Sequence, residues 1–347
     1  MEMNQVGKLL VTGISGHRLT SEEEEWITHF GGVLLFSRNF ESKEQLKDLT
    51  SSIKERNSEI FIAVDHEGGR VQRFKNGFTH FQAMGEISKL NSPKLCFEVH
   101  QQMAQELSAC GVDVNFSPCS DLLIDKGCEV IGDRSFGDDP SLVSGMVSSA
   151  VRGLQTQGVF ACAKHFPGHG NTNIDSHESL PTINDTIETI LSRDLVPFKA
   201  ATKSKVSMVM MAHLLIPSID SENMTTVSQK AYELLRKELR FEGIIVTDDM
   251  EMGAIVNNFN PAEAAFRALK SGATLVEFRS FDKAREALEG LSKFDSIDQI
   301  IQDNLEIISK QKQKLFKNIN KVSMPEVEVF QNGEKLKNKI SLDLQSL

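Results

Sequence analysis

The chain has 347 residues, of which 40% are hydrophobic and 25% charged, as in an ordinary globular protein with a sizeable core. Its net charge of -10, with no run of four or more lysines or arginines, argues against a nucleic-acid partner. No segment reaches 18 consecutive apolar residues, so we expect no membrane span and no membrane partner. The N-terminus lacks a secretory pattern and the five cysteines form no CxxC motif, which predicts reduced thiols in a cytoplasmic protein.

Eight short apolar runs predict eight buried β-strands. Each run is too short for a helix and rich in β-branched or bulky apolar residues, which is typical of strands covered on both faces. The runs are LLVTGIS (9–15), GGVLLFS (31–37), IFIAVDHE (60–67), VDVNFSP (112–118), VFACAKHF (159–166), VSMVMMAH (206–213), GIIVTDDM (243–250) and ATLVEFRS (273–280).

The segments between these runs carry helical periodicity. Apolar residues form one stripe over 93–109 and another over 140–156. Asn260 followed by Pro261 predicts a helix start, and Gly272 predicts the end of the same helix.

The alternation of strand and helix predicts the fold class. Eight repeats favour a parallel sheet closed into a single (β/α)8 TIM-type barrel, which we assign to residues 1–317. A doubly wound α/β fold is the alternative, although no GxGxxG motif follows the first strand and the chain has no Walker motif. The Lys-rich residues 318–347 are expected to form a C-terminal extension that is surface-packed or partly mobile.

Polar and ionisable residues are concentrated just after the predicted strands. In a barrel the carboxyl ends of the strands converge on one face, and that face carries the active site. Acids, bases and histidines at nearly every strand end predict an enzyme. They are His17, Arg18, Arg38, Asn39, Asp65, His66, Glu67, Arg70, Arg73, Asp121, Lys164, His165, His169, His213, Asp248, Asp249, Glu251 and Arg279.

The stretch KHFPGHGNTNIDSHESLP, residues 164–181, is the densest of these segments. Its Asp175-x-His177 pair lies on a loop beyond the fifth strand, and a carboxylate beside an imidazole suits acid–base catalysis. We expect this loop to close over a bound ligand. A metal site is the alternative, with His165, His169, Asp175 and His177 as its ligands.

Two further strand ends offer carboxylates. Asp248, after the seventh strand, is either a helix cap or ion-pair partner, or a carboxylate nucleophile at the barrel mouth. Because neighbours in an extended chain point to opposite faces, we expect only one of Asp248 and Asp249 to face the pocket. Asp65 is suited to bond substrate hydroxyls, with Arg70 or Arg73 paired to it.

Four motifs together resemble bacterial glycoside hydrolase family 3 β-N-acetylglucosaminidases of cell-wall recycling. The resemblance runs from about residue 5 to 285 and implies a (β/α)8 barrel that needs no cofactor and no metal. It also implies retaining hydrolysis that releases terminal N-acetylglucosamine (GlcNAc) from N-acetylglucosaminyl-1,6-anhydro-N-acetylmuramic acid, free or carrying its stem peptide. The motifs are VDHEGGRVQRF (64–74), IGDRSFGDDP (131–140), the loop 164–181 and IIVTDDMEMGAI (244–255).

The resemblance implies roles for individual residues. Asp248 corresponds to the nucleophile, and His177 to the general acid/base, assisted by Asp175. Histidine titrates near neutral pH, so it can both donate and accept the proton that the reaction moves. The residues that correspond to the sugar-binding set are Asp65, Arg73, Arg134, Lys164 and His165, with His213 as the strand-end histidine of the family.

Two segments depart from the family pattern. Asn171 replaces the aspartate of the common GHGDT sequence, and Glu277 and Arg279 stand where relatives tend to be apolar. The alternatives that stay open are a phosphorylase or a broader exo-hexosaminidase on the same site, a metal-dependent barrel hydrolase, and a silent glycan-binding protein. We expect a monomer.

Overall fold

A closed parallel sheet organises the structure, a computed structural model that describes residues 3–172, 180–294, 297–317 and 326–347. Neighbouring strands pair in parallel in chain order, and the eighth pairs with the first. A parallel bridge between Val246 and Leu275 closes the ring. The predicted (β/α)8 barrel is confirmed. Its strands are β1 Leu10–Thr12, β2 Gly32–Leu35, β3 Phe61–Val64, β4 Val114–Asn115, β5 Phe160–Phe166, β6 Met208–Met211, β7 Ile244–Thr247 and β8 Val276–Phe278.

A helix follows each strand on the outside of the barrel. Shorter helical turns lie in the connecting segments, and a two-stranded hairpin, His66–Gly68 with Val71–Gln72, follows β3. Within the described residues, no helix combines the length and hydropathy needed to cross a bilayer. The outer helices are α1 Ser21–Trp26, α2 Lys43–Arg56, α3 Pro93–Ala109, α4 Pro140–Gln155, α5 Leu195–Lys203, α6 Gln229–Glu233, α7 Pro261–Ser271 and α8 Phe281–Leu291.

Local sequence explains where α7 begins and ends. The Asn260 side chain accepts a hydrogen bond from the backbone N of Glu263, and Pro261 occupies the first turn. Gly272 ends the helix with a φ of 129°, a conformation that favours glycine, and a Cβ there would lie 2.9 Å from Tyr232. Both predicted ends are therefore confirmed.

Apolar side chains fill the barrel and the layer between strands and helices. They form one continuous buried cluster, and each of the eight strands is buried along its length. Burying one large aliphatic or aromatic side chain contributes about 1.5–3 kcal/mol. The strand ends are thus held by a rigid core, which fixes the positions of the polar residues that follow them.

Two helices follow α8, namely α9 Asp298–Lys317 and α10 Glu326–Gln345. Helix α10 packs on α3, and Gln102 of α3 donates from its Nε2 to the backbone O of Val329 at 2.8 Å. The division of the chain between residues 317 and 318 stays a prediction.

Helix α10 also supports the segment that follows the β3 hairpin. The Phe330 and Phe78 rings meet edge to face with centroids 5.5 Å apart, and Gln82 donates from Nε2 to the Ser341 hydroxyl at 2.7 Å. The segment 73–82 is therefore packed between the barrel and α10.

Candidate active site

A cavity of about 490 Å³ lies where the carboxyl ends of the strands meet. Strands β2 to β8, or the loops after them, all contribute to its wall. This is the face on which barrel enzymes carry their chemistry. Among the predicted site residues, those that line it are Asp65, Arg73, Arg134, Lys164, His165 and Asp248.

A second cavity, of about 570 Å³, lies at the opposite end of the barrel between α4 and α9. Among the described residues around it, Glu242 is the only carboxylate and there is no histidine. The acids and bases that catalysis needs are therefore gathered at the carboxyl ends of the strands.

Lys164 is the centre of a buried chain of ion pairs. Its Nζ lies 2.7 Å from Asp65 Oδ1 and 2.6 Å from Glu67 Oε1, and its side chain is 2% exposed. Arg134 binds Glu67 through two hydrogen bonds of 2.9 and 2.8 Å, and Arg73 Nη2 lies 3.3 Å from Asp65 Oδ2. Paired and charge-assisted contacts of this kind hold side chains in fixed orientations.

These ion pairs decide the protonation states. Burial alone would raise the pKa of Asp65, but Lys164 and Arg73 hold it below its usual value. Burial would likewise raise the pKa of Glu67, which Arg134 and Lys164 hold far below normal. Burial would lower the pKa of Lys164, yet the two carboxylates raise it. All three groups stay charged at neutral pH and present fixed donors and acceptors to the cavity.

Asp121, which is fully buried, fixes the ring of His165. One Asp121 oxygen lies 2.7 Å from His165 Nδ1, and the carboxylate also accepts from the backbone N of His169 and from Cys119 Sγ. Burial would raise the pKa of Asp121, but His165 lowers it to about 2. Because an ionised carboxylate only accepts, His165 carries its proton on Nδ1, and Nε2 accepts from Arg134 Nη2 at 3.3 Å.

Asp248 follows β7 directly. Its backbone N donates to Met211 O at 3.0 Å, and its Oδ1 accepts from the backbone N of Asp249 at 2.9 Å. Burial would raise the pKa of Asp248, but His165 and His213 hold it below the usual range. An ionised carboxylate therefore faces the cavity beside His165, as a nucleophile must.

Asp249 also lines the cavity, which corrects the expectation that only one of the pair faces it. Strand β7 ends at Thr247, so strict alternation no longer applies two residues later. Asp249 Oδ1 accepts from the backbone N of Glu251, and Oδ2 lies 3.5 Å from Arg279 Nε. Burial, with Glu251 and Asp248 nearby, raises the pKa of Asp249 to about 7.

His213 lies outside the described cavity wall. Its ring is fully buried, with Nδ1 2.5 Å from Thr226 Oγ1 and Nε2 2.9 Å from the backbone O of Asp249. These contacts place His213 under the segment that carries Asp248, where it can position that segment. Its predicted contact with sugar stays a prediction.

Asp175 and His177 fall within 173–179, outside the described residues, and so does half of the alternative metal-ligand set. In the described part of the chain, the group with metal-like spacing is Cys119, Asp121 and His165. Because the Asp121 oxygens already accept from several N–H donors, this group fits a hydrogen-bond network better than a cation site.

The residues on both sides of 173–179 are anchored. Before it, Asn171 donates from Nδ2 to Asp185 Oδ2 at 2.6 Å, and Arg193 donates to the same oxygen. After it, the backbone N of Leu215 donates to Pro181 O at 2.9 Å. Asn171, which replaces the aspartate of the family pattern, is thus one of two donors to the Asp185 carboxylate.

Comparison with known proteins identifies the family. A sequence model described as the glycosyl hydrolase family 3 N terminal domain matches residues 2–306. The chain belongs to glycosyl hydrolase family 3. A β-hexosaminidase from Nitrosomonas eutropha is 39% identical over 301 residues, which are 83% of this chain and 86% of that protein. The predicted recognition as a family 3 β-N-acetylhexosaminidase is confirmed.

Solved structures agree with this assignment. A glycoside hydrolase family 3 β-N-acetylglucosaminidase from Paenibacillus matches with a TM-score of 0.89 and 30% identity, over 97% of this chain and 69% of that chain. NagZ from Neisseria gonorrhoeae, solved in complex with N-trifluoroacetyl-D-glucosamine, matches with a TM-score of 0.80 and 32% identity, over 95% of this chain and 98% of that chain.

Two central residues of the site have no role predicted from the sequence. Glu67 and Asp121 join the predicted sugar-binding residues into networks. The available signal was their position just after β3 and β4. That signal marks a residue as near the site but does not say which partner it binds.

Proposed function

We propose that the chain is a retaining exo-β-N-acetylglucosaminidase of cell-wall recycling. It removes terminal GlcNAc from N-acetylglucosaminyl-1,6-anhydro-N-acetylmuramic acid, free or carrying its stem peptide. The observation that carries this proposal is that an ionised Asp248 shares one cavity with the Lys164 ion-pair chain. A nucleophile and a set of hydroxyl-binding groups are thereby combined in one site.

Asp248 is the proposed nucleophile. One of its carboxylate oxygens attacks the anomeric carbon of the terminal sugar, and the bond to the leaving oxygen breaks. Water then hydrolyses the resulting glycosyl ester, and two inversions leave the anomeric configuration unchanged. The low pKa of Asp248 supports this role because the attacking group must be ionised.

His177 is the proposed general acid/base, and Asp175 its partner. His177 donates its proton to the leaving oxygen in the first step and takes a proton from the attacking water in the second. The DSH motif and its order in the chain support this role, together with the anchors at Asn171 and Pro181 on either side of the loop.

The proposed sugar-binding residues are the charged groups that line the cavity wall. Lys164 and Arg73 donate to sugar hydroxyls, and Asp65 accepts from them. Arg134 and His165 complete the wall beside them. Because their partners already fix them, little ordering remains when sugar binds, and binding energy can be used to orient the anomeric carbon.

The proposed leaving group carries carboxylates when its stem peptide is present. Arg38 and Arg279 line both the main cavity and an adjoining cavity of about 220 Å³. Two guanidinium groups at this junction suit an acidic leaving group better than a neutral one. The five cysteines, all free and buried, support a reducing compartment, so we place the reaction in the cytoplasm.

Mass spectrometry on purified anhydro-muropeptides, beside chitobiose, tests the proposal. We expect GlcNAc and an anhydro-muramoyl peptide, no change with chelator, and no product with Asp248→Ala. GlcNAc 1-phosphate formed only with added phosphate would make the protein a phosphorylase. Faster turnover of chitobiose would indicate a broader exo-hexosaminidase, and no turnover of either would contradict the proposal.

A further inference from the structure

The floor of the cavity is formed by apolar side chains and one carboxylic acid, Glu277. Each even-numbered strand, or the residue directly after it, contributes to this floor: Leu34 from β2 and Phe36 after it, Phe116 after β4, Met210 from β6 and Glu277 from β8. In barrels of this type, such layers are filled by bulky apolar residues from alternate strands. Four of these five are bulky and apolar, and Glu277 is not.

Glu277 is buried, and one of its carboxyl oxygens has no partner among the described residues. It is 2% exposed, and among the described residues its Oε1 has no hydrogen-bond partner. Its backbone groups are satisfied, because the N donates to Thr247 Oγ1 and the O accepts from the backbone N of Met250, both at 3.0 Å. The unmet atom is therefore an oxygen of the carboxyl, in a residue that lines the cavity.

Fold stability does not explain this carboxyl. Burying an unpaired polar group costs free energy, whereas leucine would fill the same place with a gain. An unpaired buried polar group in a native structure calls for an explanation, and a bound partner is one of them. A polar group that enters the cavity would supply the partner that Glu277 lacks.

The surrounding charges fix the protonation state of Glu277. Burial raises its pKa well above normal, and Asp249, Asp248, Asp65 and Glu251 raise it further. The cations that line the same cavity are drawn to other carboxylates. Lys164 is bound to Asp65 and Glu67, Arg73 to Asp65, and Arg134 to Glu67. Arg70 is bound to Asp133 and Arg279 to Asp249 and Glu251, while Arg38 donates to backbone oxygens. Glu277 is therefore a neutral acid, with one O–H donor and a free acceptor.

We propose that Glu277 binds a ring hydroxyl of the terminal sugar. The sugar O–H donates to one carboxyl oxygen, and the acid O–H donates to a sugar oxygen. This inference rests on the proposed function, because it takes the cavity to hold a saccharide. It makes Glu277 a specificity-determining residue, since a sugar without the contacted hydroxyl would leave both carboxyl atoms unpaired.

Kinetics with deoxy sugars test the proposal. The substrates are a chromogenic β-N-acetylglucosaminide and its 3-, 4- and 6-deoxy analogues, assayed with wild type, Glu277→Leu and Glu277→Gln. On the parent sugar we expect Glu277→Leu to lose about tenfold in kcat/KM. On the one analogue that lacks the contacted hydroxyl, wild type and Glu277→Leu should be equal. Glu277→Gln should stay near wild type on all four, because an amide also donates and accepts.

Two controls separate this contact from repacking of the floor. Met210→Leu changes the floor without changing its polarity, so its effect should be the same factor on all four sugars. Melting temperatures should show Glu277→Leu at least as stable as wild type. An equal loss on every sugar, or no loss on any, would overturn the inference. Wild type that fails to cleave the parent sugar would instead overturn the proposed function.

Discussion

The two sides of the cavity differ in how their carboxylic acids are paired and protonated. On the binding side (Asp65, Glu67, Arg73, Arg134 and Lys164), every carboxylate is paired and stays ionised. On the carboxylate side (Asp248, Asp249 and Glu277), acids crowd together and two of the three have raised pKa values. The first side is built to hold a ligand still, and the second concentrates the groups whose protonation can change.

Asp248→Ala should separate the two sides of the cavity most clearly. Without the nucleophile we expect kcat to fall by at least about 10³-fold. GlcNAc affinity, measured calorimetrically, should change little because the binding side is intact. Asp303→Ala, at an exposed position on α9, is the control and should keep wild-type kinetics. Equal losses of turnover and of sugar affinity would show that the two sides do not work separately.

Glu67→Ala tests the binding side. It leaves Lys164 and Arg134 without a shared carboxylate in a buried place, so we expect a loss of about 3–5 kcal/mol in the free energy of unfolding. Urea unfolding measures this loss. Glu289→Ala, exposed on α8, should change stability by less than about 0.5 kcal/mol. If both variants unfold alike, the ion-pair chain does not hold the site rigid.

Asp121→Asn tests the link between the two sides, because Asp121 orients His165. The amide can donate to Nδ1, which moves the imidazole proton to Nε2, where Arg134 also donates. We expect kcat/KM to fall by about tenfold or more. Nitrogen-15 NMR of the imidazole reads the tautomer directly. A ring that keeps its proton on Nδ1 in the variant would contradict the assignment.

Asp249→Asn tests the carboxylate side through the pH dependence of stability. The folded pKa of about 7 lies above the usual 3.8, so the native state holds a proton that the unfolded state has released. The stabilising contribution of the Asp249 carboxyl is fully present below about pH 4 and is lost as the pH rises through 7. The variant lacks this loss, so its stability relative to wild type should rise by about 2–3 kcal/mol between pH 5 and pH 8. Urea unfolding at both pH values checks this, and parallel shifts would exclude the raised pKa.

Predictions from the sequence were most accurate where a single local rule determines the structure. Apolar runs placed all eight strands, and the Asn260 and Gly272 signals placed both ends of α7. It was weaker where the backbone leaves regular structure. Alternation failed for Asp249 because β7 had already ended, and spacing along the chain could not tell that His213 turns toward Thr226 and the Asp249 backbone.

The sequence alone could not predict which distant residues form ion pairs, and the reason is physical. Lys164 and Asp65 are 99 positions apart and meet only because β3 and β5 flank β4 in the closed sheet. A pattern in one segment shows that a residue is polar and follows a strand. Which of several nearby carboxylates it binds depends on fractions of an ångström that the packed core sets.

The contact between α10 and the segment 73–82 bears on how the protein matures. Phe330 packs on Phe78, and Ser341 accepts from Gln82. The ribosome makes residues 326–345 after all eight strands, so the segment next to Arg73 receives its outer support only after the barrel strands have been synthesised. A nascent chain that has already closed its barrel would still lack the outer support of segment 73–82. Sugar affinity would then be the last property of the proposed site to form.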